Sequence, residues 1–161
     1  GDLYITDVGQ ENFEEVNYVA AADIQNGSMN FGWPILEGNS CFPPNGAQEC
    51  DRFGLTMPVA TYDHAEGCSI TGGQRYHSQQ PFQSSTYLYA DFCTGKVWGL
   101  QADGDTWQSF AIKDFDFMIS TFGEDAAGNL YLMEYAAEEG TLYRILGPTN
   151  IERLPALAKD E

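Results

Sequence analysis

Three segments of this 161-residue chain are versions of one another: Gly1-Asp2-Leu3-Tyr4-Ile5-Thr6-Asp7, Thr86-Tyr87-Leu88-Tyr89-Ala90-Asp91 and Gly128-Asn129-Leu130-Tyr131-Leu132-Met133-Glu134. Each reads as a strand with Leu-Tyr near its start and an acid near its end. Leu88 and Leu130 stand about 42 residues apart, and Leu3 and Leu88 about 85, twice that interval. A period of about 40–50 residues built from short strands is the mark of propeller blades.

The second and third copies are each followed by a partner strand, Gly95–Leu100 and Gly140–Ile145, across links short enough for hairpins. Further strands are expected at Glu15–Val19, Met57–Tyr62, Ser69–His77, Thr106–Ile112 and Asp116–Phe122. The total is about eleven. The expected fold is all-β: a β-propeller segment of about three four-stranded blades over residues 1–146. Residues 32–53 read as an irregular insertion. Residues 147–161, past Gly147-Pro148, read as a tail or a short helix. Three blades do not close a ring, and open apolar faces cost stability. The expected partners are therefore the remaining blades, from another chain, a further segment of the same protein or a second copy. The chain opens inside a strand without a starting Met, which reads as a piece of something longer.

Hydrophobic residues make up 43% and aromatic residues 14%, enough for a packed interior. Seven Lys and Arg stand against 24 Asp and Glu, a formal net charge of -17. Such a surface repels phosphate backbones and anionic lipid, so nucleic acid is excluded as a partner. No apolar run approaches the roughly 18 residues of a membrane span. Divalent cations, neutral sugars and basic proteins remain as ligand classes.

The cysteines, Cys41, Cys50, Cys68 and Cys93, lack the paired C-x₂₋₄-C spacing of a zinc site. An even count in a Gly-rich acidic chain favours disulfides, with three pairings open. Cys41–Cys50 with Cys68–Cys93 is preferred, because the first closes a loop whose Pro-Pro and Gly already read as a turn. On loop-closure entropy the two bridges contribute roughly 2.7 and 3.5 kcal/mol. With the sequon Asn26-Gly27-Ser28, they point to a secreted, extracellular or periplasmic chain.

Six motifs then fall in a recognisable order: Asp7-Val8-Gly9-Gln10 with Glu14-Glu15-Val16-Asn17; Asn30-Phe31-Gly32-Trp33-Pro34 with Glu37-Gly38; Tyr62-Asp63-His64; Ser69-Ile70-Thr71-Gly72-Gly73; Tyr89 to Gly95; and Phe122-Gly123-Glu124-Asp125. Together they resemble the C-terminal part of the glucose/sorbosone dehydrogenase family. The cysteines place the resemblance near its secreted, cysteine-bearing branch, which includes animal hedgehog-interacting-protein-like relatives. The resemblance implies a six-bladed propeller holding pyrroloquinoline quinone (PQQ) and Ca²⁺ near its axis, and a PQQ- and Ca²⁺-dependent oxidation of an aldose or sorbosone. The proton-accepting His of catalytic members lies in blades N-terminal to this segment, so no catalytic residue is assigned here and no turnover is expected of the isolated chain.

By the same resemblance, Gly9 and Gln10 fall where two successive backbone carbonyls bind the Ca²⁺, a hard cation that takes oxygen ligands. The bare alternative is a turn between strands. Tyr62 and His64 fall where an aromatic and an imidazole face the cofactor, and on an extended strand they share one face. Their alternative reading is a half-buried strand face. His77 reads as a surface residue. Catalytic bacterial members carry basic side chains near 91–95 and 117–121, but here those stretches read Asp-Phe-Cys-Thr-Gly and Phe-Met-Ile-Ser-Thr, with Lys96 out of register. That departure favours the alternative, a non-catalytic extracellular propeller module for protein or carbohydrate. Glu124-Asp125 and Glu138-Glu139 read as solvated acidic loops before they read as a second Ca²⁺ site. Asp103-Gly104-Asp105 reads as a hairpin turn, and Trp33 and Trp98 as packing between blades.

Overall fold

A computed structural model describes residues 1–25, 27, 29–42, 49–76, 85–147 and 150–155. Asn26 and Ser28 of the sequon, His77 and the final residues lie outside the described set. The fold is all-β, with antiparallel strands in sheets of two to four. The chain divides into two compact units, residues 1–70 and 71–161.

In the first unit, β1 (Leu3–Asp7), β2 (Phe13–Val19) and β5 (Ala60–Asp63) form a sheet in the order β1-β2-β5. Successive side chains of a strand point to opposite faces, so Phe13, Glu15 and Asn17 leave one face of β2 while Glu14 and Val16 leave the other. Val16 is fully buried. Within the 32–53 insertion, Leu36–Glu37 (β3) and Ser40–Cys41 (β4) pair as a small hairpin. The Cys41–Cys50 bridge closes the segment that follows.

The second unit contains two four-stranded sheets. One is ordered β6 (Ile70–Arg75), β7 (Tyr87–Asp91), β8 (Lys96–Asp103), β9 (Thr106–Asp114). The other is ordered β10 (Met118–Glu124), β11 (Leu130–Tyr135), β12 (Leu142–Gly147), β13 (Asn150–Arg153). Leu88, Ala90 and Val97 from the first pack with Ile119, Phe122, Leu130 and Leu132 from the second in one apolar core. These are two blades of the propeller type, joined by their apolar faces. The repeat has a structural meaning: its second and third copies are β7 and β11, the second strand of each blade. Leu88 and Leu130 are both buried there, whereas Leu3 of β1 is 46% exposed.

The fold departs from the sequence reading at two places. Residues 147–161 were expected as a tail or short helix, but Asn150–Arg153 is the fourth strand of the last blade, with Ile151 opposite Ile145. The insertion likewise holds the β3–β4 hairpin. Turns are fixed by short polar contacts. Buried Asp91 accepts from the Cys93 and Thr94 amides at 3.0 and 2.8 Å. Gly95 follows with φ of 72°, where a side chain would collide with the Phe115 and Phe117 carbonyls.

Candidate functional site

The turn joining β1 to β2, Val8 to Asn12, borders a cavity of about 270 Å³ in the first unit. Gly9 and Gln10 line it with Asp7, Glu15, Glu37, Phe31 and Trp33. Among the described residues, neither the Gly9 nor the Gln10 carbonyl accepts a hydrogen bond. Gly9 is sterically obligatory, since a Cβ would fall on the Phe13 carbonyl and within 2.7 Å of Glu37 Oε1. Trp33 was expected to pack between blades. It is instead 53% exposed, on the rim of this cavity, with its ring 4.7 Å from that of Phe42.

The turn is held by a carboxylate. Glu37 Oε1 accepts the amides of Glu11, Asn12 and Phe13 at 2.6, 2.7 and 3.2 Å. Burial alone would push this carboxyl up, but the Asn12, Glu11 and Phe13 amides outweigh it and hold Glu37 below its ordinary value. Glu15 behaves in the opposite way. It accepts from Asn17 Nδ2 at 2.8 Å and from the Gly38 amide at 2.9 Å, yet burial dominates and raises its carboxyl, with the Asp7 charge adding to the effect. Asp7 stands directly opposite Glu15 across the strands. Like charges at such a pair repel.

Tyr62 and His64 lie elsewhere. Tyr62 is opposite Glu14 on β5, so the two share the sheet face turned away from Glu15. Glu14 is fully buried; its Oε1 meets His64 Nε2 at 2.8 Å and its Oε2 accepts the Ile70 amide at 2.8 Å. The His64 amide donates to the Asn12 carbonyl at 2.9 Å. Tyr62 and His64 are thus brought together through Glu14, while Gly9 and Gln10 belong to the other face of the same sheet. The four residues do not line one cavity.

In the second unit, the two stretches expected to carry cofactor cations converge on one cleft of about 450 Å³, lined by Thr94, Phe115, Asp116, Phe117, Met118, Glu134 and Tyr135. Among the described residues, no Lys or Arg lines it. The oxygen groups that the residues lining the first cavity carry, the Gly9 and Gln10 carbonyls and the Asp7 carboxylate among them, are of the kind a hard cation such as Ca²⁺ takes. Neither cavity fits the quinone, whose carboxylates need cationic partners. Cys68 and Cys93 are disulfide-bonded, so neither offers a metal a thiolate, and no described cysteine is free. Asp125 is occupied as well: it accepts the Ala127 and Asn129 amides, Asn129 Nδ2 and the Tyr131 hydroxyl.

Sequence reasoning missed Glu14, Glu15 and Glu37 as buried groups. Each spends its carboxylate on backbone amides of a neighbouring loop. All three sit inside the motif run quoted above, and that was the available signal.

Short strands in antiparallel sheets of two to four define a partial β-propeller, with a cavity beside the turn of its first hairpin. The chain is 27% identical over 177 residues to a protein of Arabidopsis thaliana called HIPL1 protein, a match that takes in 89% of this chain. It spans only 24% of that relative's length. No protein-family model matches, and no solved structure does. Two disulfides fit an extracellular or secreted protein. Among the described residues, no helix is long and apolar enough to cross a membrane.

Proposed function

We propose that this chain is the cation-loop part of a propeller built on the plan of the PQQ- and Ca²⁺-dependent aldose or sorbosone dehydrogenases, and that it does not oxidise sugar alone. The observation that carries the reading is the Gly9–Gln10 turn, which borders a cavity also lined by the exposed residue Asp7, and whose two carbonyls accept no hydrogen bond among the described residues. In this reading the two carbonyls and the Asp7 carboxylate hold Ca²⁺, and Glu37 keeps the turn open from behind without acting as a ligand. Proton acceptor and quinone anchors come from blades outside this segment. The distant similarity to the HIPL1 protein, reaching across most of the chain, supports the plan but not the chemistry.

Titration with CaCl₂, followed by the emission of Trp33 against a Trp33→Phe control, tests the loop. Saturable binding that Asp7→Asn weakens is expected, and the absence of any Ca²⁺-dependent signal refutes the reading. The second reading is a non-catalytic extracellular module. It is favoured by the cleft of the second unit, where the two stretches carry no Lys or Arg and the charged side chains of the lining are Asp116 and Glu134. Aldose-dependent dye reduction by the intact assembly, reconstituted with PQQ and Ca²⁺, separates the two.

A further inference from the structure

The cleft of the second unit has a chemistry of its own. Tyr135, at the end of β11, is 52% exposed and stands opposite Met118 of β10, itself 37% exposed. The Phe92 ring supports Tyr135 from 5.3 Å away, tilted by 57°. On the other side, Phe115 stacks on Phe117 at 5.1 Å, and Phe117 lies parallel to Tyr143 at 4.9 Å. The aromatic walls are therefore braced, and Tyr135, though in contact with Phe92, remains half exposed.

Glu134 supplies the charge. The Tyr143 hydroxyl donates to its Oε2 at 3.3 Å, and Glu134 is one of the residues lining the cleft. Burial first, then the Glu134 charge, pushes the Tyr143 phenol up. Asp116, exposed, adds a second carboxylate. Arg153 stands opposite Tyr143 on β13 but does not line the cleft. A cleft lined by aromatic residues and by the acids Asp116 and Glu134, with no Lys or Arg in its lining among the described residues, repels a polycarboxylate and attracts a diffuse cation, which aromatic rings bind through their quadrupole.

We infer that the cleft bordered by Phe117, Met118, Glu134 and Tyr135 is a site for an organic cation, an alkylammonium group, and that it rejects the anionic quinone. This does not depend on the Gly9–Gln10 reading, which concerns a different cavity.

The test is an NMR titration of the full chain with tetramethylammonium chloride, read at the Met118 methyl and the Glu134 and Tyr135 amides. NaCl at equal ionic strength is the control, and PQQ is the anionic probe in a parallel titration. Saturable shifts with tetramethylammonium alone are expected. Glu134→Gln is expected to weaken binding about fivefold and Tyr135→Ala by a similar factor. Should Glu134→Gln disturb the fold, Asp116→Asn, at an exposed position, gives the charge test with about a twofold loss. Shifts matched by NaCl, affinity unchanged in these variants, or PQQ shifting the same resonances would each overturn the inference.

Discussion

Glu37→Ala removes the acceptor that three consecutive amides share, and its cost follows from the geometry. The Glu11, Asn12 and Phe13 N–H groups lose hydrogen bonds to a charged oxygen; an unmet donor costs about 1–3 kcal/mol where it is buried, and less at the exposed residues Glu11 and Asn12. The adjoining cavity admits water, which recovers part of that loss, so the net cost is about 3 kcal/mol, well below the simple sum. In urea, with a slope of about 2 kcal/mol/M, the midpoint falls by about 1.5 M. Locally, exchange of the three amides accelerates about a hundredfold while the β7–β8 ladder is less affected. Glu37→Gln keeps one carbonyl oxygen but not the charge, and is expected to lose about half as much. The pH dependence has a definite sign. Because the folded carboxyl lies below its ordinary 4.5, its contribution is complete above that value and is lost as pH falls through the lower folded value. If Glu37→Ala leaves exchange at Glu11, Asn12 and Phe13 within about threefold of the parent, the clamp argument is wrong.

Gly9→Ala drives a methyl into the Phe13 carbonyl, a backbone atom with little room to yield; a loss of about 1–3 kcal/mol and of any Ca²⁺ response is expected, measured by thermal unfolding and the Trp33 titration. His64→Phe leaves the buried Glu14 carboxylate with the Ile70 amide but no imidazole. Since His64 is partly exposed, the expected cost is about 1–2 kcal/mol, seen as a lower urea midpoint at unchanged slope; an unchanged midpoint would show that the contact contributes nothing. Asp125, held at about 2 by the Asn129 side chain and amide and by Tyr131, caps the β10–β11 turn. Its depressed value means the cap is whole above the ordinary 3.8 and is lost as pH falls through about 2, so the Asn129 amide should move in NMR spectra only in that acid range, and Asp125→Ala should abolish the change.

Much of the blade architecture was legible because Leu-Tyr strands recur at a fixed interval and because each is followed by a second apolar strand. β13 was not legible: Gly147-Pro148 is a strong stop signal, and Asn-Ile-Glu-Arg has only one apolar residue to declare a strand. Its register comes from tertiary pairing with β12, which no local pattern announces. The Gly9–Gln10 turn was legible through its motif. The buried acids were not, because in a chain of charge -17 each Glu reads as one more solvated group. Burial of Glu14 and Glu15, on opposite faces of one strand, depends on loops distant in sequence that bring amides to them. The two faces also explain why Tyr62 and Gly9, members of one motif run, end in different surroundings.

The three-stranded sheet has a further consequence. β1 matches β7 and β11 in the repeat, yet each of those has a strand on both sides, while β1 pairs only with β2 among the described residues. Its outer backbone groups occupy the place filled by β6 and β10 in the other blades. A strand that paired there antiparallel, as the strands of the other sheets pair, would have side chains alternating in step with Tyr4 and Thr6. Recognition there is written in main-chain groups, so it is tolerant of sequence. The same outer edge makes the chain prone to self-pairing at high concentration unless its blade is completed.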